Sequence, residues 1–504
     1  MNDYDVIVIG AGISGLIAAN VLQNEGKKVL VLEKNSSFSR ESNNVIKGRF
    51  TFNSTISEVG FYNGNDDVID NILKNIGIKK IEYKKLKDAF RLIAKDEEGH
   101  RLDYEMPFGI KRFVEKMEEI VPESTESVTR YFDLADECCN ALKYVLSCGG
   151  RTNDEIMKNK YEDFMKVSTY SHSEVLDMLN MPLRAQEILN SFWLNFGSSE
   201  TEISFVHYAT FVYEYIRNGI SALKEGNYGL LHSLTDKFIE KGGTIRYSST
   251  VNKIITNDKV VNGVSLLDGT NIYCNHVIYN GSEHDLYGKL IDPKEVPSGA
   301  IRNCNMKEYG LRRFTVQLGL NRPPEELGIN NPRYYLYDSL DSDLEYTKMN
   351  NLRIDSGFCR CFNAMFDDVS PEGTTLLELN TYFSGNVFEE EANEKNYNEI
   401  KEKVAEELIK LFEVKLKTKI RPYIEEINII TPVDYYMMNG NYSDGYKLTG
   451  YENLLYRYYD MINIKYIKGV YVCGPFACFG GTTDGLYMSG QVAALFTLKE
   501  IVGE

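Results

Sequence analysis

Three glycines, Gly10, Gly12 and Gly15, and the acid Glu33 are the residues of this chain whose types and spacing point to a definite chemistry. They lie in DVIVIGAGISGLIAANVLQNEGKKVLVLEK (5–34), which reads as a strand, a tight turn, a helix and a second strand ending in the acid. Gly10 permits the sharp turn, Gly12 lets the backbone approach a pyrophosphate, and Gly15 lets the helix pack close to the sheet. Ala11, Ile13 and Ser14 complete the turn, whose free N–H groups and helix dipole favour phosphate. Glu33, followed by Lys34, can accept hydrogen bonds from ribose hydroxyls. The pattern predicts an adenine-dinucleotide site. GGRTN (149–153), GNYG (226–229) and FGGTTDG (479–485) lack the strand, spacing and acid of a second fingerprint. One nucleotide domain, rather than separate FAD and NADPH domains, is the expectation.

The elements that position these residues recur along the chain. Residues 230–280 read as a helix, a Gly-Gly turn and four short strands joined by Asn, Asp and Gly turns. Near the C-terminus KGVYVCG, a glycine-rich turn and LYMSGQVAALFTLKEIV repeat the strand-to-helix theme. The intervening regions are rich in Tyr, Phe, Met and acidic residues, with a helical stretch from Asn396 to Phe412. The expected fold is α/β: a Rossmann-like FAD-binding domain interrupted by an α+β substrate domain. Residues 1–95, 216–290 and 460–504 make the discontinuous FAD-binding domain, and 96–215 with 291–459 make the substrate-binding domain.

Composition narrows the partners. With 504 residues, 43% hydrophobic and 26% charged, the chain has an ordinary globular make-up and room for two or more packed units. A formal charge of −17 argues against a nucleic-acid partner, which needs clustered Lys and Arg. Nine cysteines form neither a CxxC pair nor a dense framework, which suits a reduced, cytoplasmic setting. The apolar stretch from Val6 to Leu22 has acids upstream and three glycines inside it, so no export signal is read there. No apolar run approaches the ~20 residues of a membrane-spanning helix. A soluble protein, at most in peripheral contact with a membrane, is expected. The six histidines show no metal-ligand spacing, and no metal is expected.

The chain resembles the phytoene desaturase, carotenoid isomerase and retinol saturase group within the broader amine-oxidase-like flavoproteins. VIVIGAGISGLIAANVLQNEGKKVLVLEKN (6–35) is similar to their ADP-binding opening and GRFTFNST (48–55) to the segment after it. FGIKRFVEKMEEIVPES (108–124), GNYGLLHSLTDKFIEKGGTIRYSSTVNKI (226–254) and TPVDYYMMNGNYSDGYKLTG (431–450) match further segments. GVYVCGPFACFGGTTDGLYMSGQVAA (469–494) looks like their closing flavin-binding motif. The resemblance implies FAD as cofactor. It implies that Val251 meets the adenine through its backbone and that Gly474 approaches the ribityl phosphate region. It also implies that Thr483, Asp484, Gly485 and Leu486 present the start of the last helix to the flavin ring, where a helix N-terminus favours negative charge. Where the family has Pro-Gly-Gly-Arg this chain departs with Phe38-Ser39-Arg40-Glu41, in which Arg40 is a cofactor-binding candidate; Pro475 stands where many relatives have Asp.

The resemblance further implies an FAD-dependent oxidoreductase or isomerase acting on carbon–carbon double bonds of a lipophilic isoprenoid or polyene. An aromatic and thioether lining suits such a substrate, and Tyr208, Phe211, Tyr213, Tyr215, Phe314, Tyr334, Tyr335, Tyr337, Tyr435, Tyr436, Met437 and Met438 are candidates for it. Arg312 beside Arg313 could face a carboxylate, and Arg312, Tyr335 and Tyr436 are the substrate-contact candidates. Asp484 is the candidate acid/base group. The alternatives are an unsaturated fatty acid double-bond isomerase, an amine oxidase, and a non-catalytic relative without flavin.

Overall fold

The computed structural model describes residues 3–37, 44–52, 58–60, 68–78, 81–148, 152–439, 445–447, 466–477 and 483–503. Five strands form a parallel sheet in the order Thr244–Arg246, Val29–Leu32, Val6–Ile9, His276–Asn280, Val470–Cys473. Val6–Ile9 and Val29–Leu32 are buried along their whole length, as their β-branched and leucine runs require of strands covered on both faces. On one face pack the first helix (Ile13–Asn24), Val68–Ile76, Gly226–Glu240 and the last helix (Thr483–Val502), with Leu16, Leu73, Leu234 and Ala493 in one core. On the other face lies a three-stranded antiparallel sheet of Val251–Asn257, Val260–Leu266 and Asn271–Tyr273.

Residues 244–280 thus hold five strands rather than the four expected. Ser248 takes a positive φ of 50°, which breaks the run between Thr244–Arg246 and Val251–Asn257 and sends the two pieces to different sheets. Asp258 and Lys259, at φ 51° and 61°, make the two-residue turn between the next pair of strands.

The second large sheet has seven strands, in the order Ile424–Ile430, Arg312–Leu320, Thr375–Phe383, Gly357–Cys361, Arg333–Leu336, Asp88–Lys95, Arg101–Pro107. The hairpin that begins at Asp88 belongs to this sheet, so the boundary expected at residue 95 falls ahead of Asp88 in the sheet topology. Helices from Ile110–Ile120 to Phe205–Asn218 cover one face, and Tyr397–Leu416 covers the other. A short sheet of Glu58–Gly60, Ile220–Leu223 and Tyr83–Lys85 stands between the two large ones, and its Gly60 touches the first turn of the last helix.

Candidate functional site

The first half of the site is built at the exit of Val6–Ile9. Gly10 has φ 101°, a value that L side chains rarely adopt. Gly12 caps the first helix in extended conformation, and no side-chain hydrogen bond caps that helix start. A Cβ on Gly15 would lie 2.2 Å from the Gly10 carbonyl oxygen, so only glycine lets the helix sit this close to the turn. Glu33 is buried at 4% exposure, and its Oε2 accepts the Ala11 N–H at 2.8 Å. Its Oε1 accepts the Asn35 backbone N–H at 2.9 Å and the Asn35 Nδ2–H at 2.8 Å. The acid is thereby fixed to the turn that carries Ile13 and Ser14. The Ser249 N–H donates to the Glu33 carbonyl at 2.8 Å, bringing the chain just before Val251 alongside; Val251 itself is buried and Lys34 is exposed. Arg40 lies outside the described residues.

The second half comes from the end of the chain. Gly474 leaves its strand with φ 101°, as Gly10 does. Between the two turns sits Asn280: its Nδ2 would be 2.7 Å from a Cβ on Gly12, and its Oδ1 2.3 Å from a Cβ on Gly474. The Gly474 N–H donates to Ser489 Oγ at 3.1 Å, and Ser14 Oγ donates to the Leu486 carbonyl at 2.7 Å. Gly490 passes so close to Ser14 that a Cβ would be 2.3 Å from the Ser14 carbonyl oxygen. These contacts hold the first turn of the last helix, Thr483, Asp484, Gly485 and Leu486, against the glycine turn. Sequence reasoning missed Asn280, Ser489 and Gly490. Asn280-Gly281 reads as an ordinary turn, and a Ser-Gly pair inside a helix carries no sign of its partner.

The arrangement fits the ADP end of FAD on three counts: an uncapped helix start, a cradle that any Cβ would fill, and an acid tied to the turn.

Beside Thr483 and Asp484 opens a cavity of about 170 Å³. Asp484, 8% exposed, contributes to its wall, and Gly60 approaches so closely that a Cβ there would be 2.6 Å from Asp484 Oδ2. Phe196, Phe211 and Tyr215 supply an aromatic side. The wall is also charged, with Glu58, Arg313, Arg333 and Arg360, all buried. Arg333 donates to Glu58 Oε2 and to the Tyr215 hydroxyl. Arg360 Nε lies 3.3 Å from the same Glu58 oxygen, and its Nη1 donates to Glu378 Oε1 at 3.1 Å. Gln317 and Asn380 donate to Glu378 in turn, at 3.1 Å and 3.0 Å. Burial pushes the Glu58 carboxyl up, but the guanidiniums of Arg333 and Arg360 outweigh it and hold the acid below the usual carboxylate range. Burial raises the Tyr215 phenol, against the opposing charge of Arg333. The Arg313 guanidinium lies 4.6 Å over the Tyr435 ring.

None of Glu58, Arg333, Arg360 and Glu378 is legible from local spacing. The available signal is a lone charge inside an apolar strand, as in FCRC (358–361) and TLLELN (375–380).

Several expected contacts lie elsewhere. Arg312 pairs with Glu389 at 2.6 Å and with Asn386, away from the cavity, and its neighbour Arg313 is the one that reaches the wall. Adjacent strand residues point to opposite faces, so only one of the pair could do so. Tyr335 is fully buried, ringed by Phe90, Phe192 and Phe358, and is not among the residues lining the cavity; Asn195, which lines it, donates from Nδ2 to its hydroxyl at 2.9 Å. Tyr436 is exposed on Pro432–Asn439 and does not line the cavity. Of the other aromatic candidates Phe211 and Tyr215 line it, whereas Tyr208, Phe314, Tyr334 and Tyr337 are core. Among the described residues no helix is long and apolar enough to cross a membrane, and no His, Cys, Asp and Glu cluster could hold a metal.

Known proteins share this architecture. The family model for flavin containing amine oxidoreductase matches residues 13–495. The rat all-trans-retinol 13,14-reductase is 25% identical over 388 residues, covering 74% of this chain and 61% of that enzyme. The chain thus spans less than two thirds of that relative's length. The carrot chloroplastic prolycopene isomerase is 23% identical over 453 residues, covering 85% of this chain and 69% of that protein. A putrescine oxidase, solved in a study of its cofactor binding, superposes with a TM-score of 0.66 at 13% identity, covering 98% of this chain and 99% of its own. The match to the family model over nearly the whole chain, with the glycine cradle and the acid in place, makes this chain a member of the flavin containing amine oxidoreductase family, with FAD as its cofactor.

Proposed function

We propose that this chain is an FAD-dependent enzyme acting on carbon–carbon double bonds of a lipophilic isoprenoid or polyene, by desaturation, saturation or isomerisation. The observation that carries the reading is the cavity that meets Thr483 and Asp484 and is walled by Phe196, Phe211 and Tyr215. An aromatic slot beside the expected flavin edge suits a flat conjugated chain. The similarity to retinol reductases and prolycopene isomerases supports the same substrate class.

Bound FAD supplies the hydride exchange. The chain supplies the rest. Glu33 would accept the ribose hydroxyls, the first helix would present its N–H groups to the diphosphate, and Val251 would offer its backbone to the adenine. Gly474 makes room for the ribityl phosphate region. Thr483 to Leu486 would present a helix N-terminus to the ring, where it would favour negative charge. Asp484, in the cavity wall, is the group placed to hold or pass a proton. The buried aromatic side excludes water from the reacting carbons.

A second reading, an unsaturated fatty acid double-bond isomerase, is favoured by Arg313 in the cavity wall. Anaerobic incubation of the FAD-loaded protein, in its oxidised form for desaturation and in its reduced form for saturation and isomerisation, with polyenes and with unsaturated fatty acids, followed by mass and chromatographic analysis, tests both. A change of mass or double-bond geometry in the polyenes alone is the expected result. Conversion of fatty acids alone supports the second reading, and conversion of neither overturns both.

A further inference from the structure

A surface groove behind the cavity wall carries a charge opposite to that of the chain as a whole. Lys85, Lys87, Arg112 and Arg217 line it against Asp88, in a protein whose net charge is −17. Lys85, Lys87 and Arg112 are exposed and make no ion pair among the described residues. Arg217 is loosely held: it donates to the Tyr213 hydroxyl at 3.1 Å and stands 3.9 Å from Asp136. Gly109, also in the groove, opens Ile110–Ile120 without a side-chain cap, so the helix dipole adds to the same sign. Like charges gathered in this way repel one another, and a concave field of one sign attracts a partner of the other.

Two links join the groove to the cavity. Phe108 in the groove packs its ring 5.4 Å, centroid to centroid, from that of Tyr215, which lines the cavity. Lys85, Ser221 and Val59 share one row of the short sheet, beside the row in which Ile220 pairs with Gly60. At ~4.8 Å per strand the Lys85 backbone lies about 10 Å from that of Val59. Its neighbour Gly60 is the residue that touches Asp484. The groove is thus the outer face of a wall whose inner face meets the expected flavin edge.

We propose that this groove docks a small acidic electron-carrier protein, which exchanges electrons with the bound FAD through the wall. The inference rests on FAD as the cofactor and not on the substrate class proposed above. The dinucleotide fingerprint from Gly10 to Gly15 is taken by FAD, so the carrier docks on a different surface. In the direction of flavin reduction each carrier is oxidised as it gives one electron, two encounters reduce FAD by two electrons, and two protons enter from water. Leu86 and Phe108 are buried, so the groove offers no apolar side chain to a bilayer, and a flat anionic membrane would also face the acids of a chain at −17. A small acidic protein meets the cations nearly alone, because charges beyond ~8 Å are screened at physiological salt. Its footprint can be small, since electron-transfer encounters bury less than about 1,200 Å².

The test titrates the FAD-loaded protein with an acidic iron–sulfur ferredoxin, an acidic flavodoxin and the basic cytochrome c, and reads binding by calorimetry at low and at high salt. Reduced ferredoxin is then mixed with the protein without air, and the loss of flavin absorption is followed in time. Both acidic carriers are expected to bind, cytochrome c is not, and salt should weaken the binding steeply. Lys87→Glu combined with Arg112→Glu changes two exposed residues outside the cradle and the cavity. That variant should keep its FAD content and melting temperature while flavin reduction slows at least about tenfold at low salt, a loss that high salt narrows. If it does not fold, the ranking of the three carriers and the salt dependence of the unaltered protein decide alone. Equal rates in a folded variant and the unaltered protein overturn the proposal, as do rates indifferent to salt. Binding of neither acidic carrier, or equal binding of cytochrome c, overturns it too. Carriers that bind while no electron reaches the FAD assign the groove to some other acidic protein and overturn the electron-transfer role. Retention on phosphatidylglycerol vesicles that the variant loses, with no carrier bound, assigns the groove to a membrane instead. Protein that holds no FAD removes the cofactor assignment and this inference with it. None of these readings uses a polyene or a fatty acid, so the proposed substrate class stands or falls separately.

Discussion

A methyl group on Gly474 would stand 2.3 Å from Asn280 Oδ1, and Gly474 holds φ 101°. Two constraints therefore meet at one residue: the backbone needs glycine, and the Asn280 carboxamide occupies the space a side chain would use. Gly474→Ala is expected to lose most FAD binding, read by fluorescence titration. Adding Asn280→Ala relieves the clash but leaves a left-handed backbone cost of about 1–2 kcal/mol, so the double variant should recover only in part. Full recovery would show that the clash alone mattered.

Glu33 anchors the cradle before any ligand arrives. Glu33→Ala leaves the Ala11 N–H without its 2.8 Å acceptor, a cost of about 1–3 kcal/mol for a buried donor. The melting temperature should fall even in protein stripped of FAD. An effect seen only with FAD present would mean that Glu33 serves the ribose and not the turn.

The cradle was legible in the sequence because it is local. A strand, a glycine turn, a helix and an acid all fall between Val6 and Glu33, and each leaves its own periodicity or residue type. The cavity was not, because Arg333, Arg360 and Glu378 sit on three neighbouring strands of the seven-stranded sheet while Glu58 comes from the short sheet, and only the tertiary fold brings the four together. Aromatic richness misled for a related reason. Tyr335 and Phe211 look alike as residue types, yet Tyr335 is core while Phe211 faces the cavity. Arg312 and Arg313 show the same limit, since strand pleat, invisible in a dipeptide, decides which one points inward.

The buried quartet makes a stability prediction. Arg333→Met leaves Glu58 buried with Arg360 as its remaining ion-pair partner, and removing one member of a buried pair costs about 3–5 kcal/mol. Glu58→Met together with Arg333→Met keeps the Arg360–Glu378 pair intact and should be markedly more stable than Arg333→Met alone. Denaturant unfolding of the two variants measures this, and equal losses would refute the pairing.

Glu200 gives a pH signature. Burial, then the charges of Asp343 and Asp341, push its carboxyl up to about 8 from 4.5. Its folded pKa is raised, so its contribution to stability is full below about pH 4.5 and is lost as pH rises through about 8. Glu200→Gln, which cannot ionise, should therefore gain in melting temperature relative to the unaltered protein across that window. A difference that stays flat with pH would count against the shifted acid.

The central claim is that the turn from Gly10 to Gly15, with Glu33 and Gly474, holds FAD. The visible absorption spectrum of the purified protein, recorded after incubation with excess FAD and removal of the unbound fraction, tests it most directly. The account predicts flavin absorption bands at about one FAD per chain, lost in Gly15→Ala, where a Cβ would lie 2.2 Å from the Gly10 carbonyl oxygen. Protein that is folded yet colourless after that treatment would contradict it.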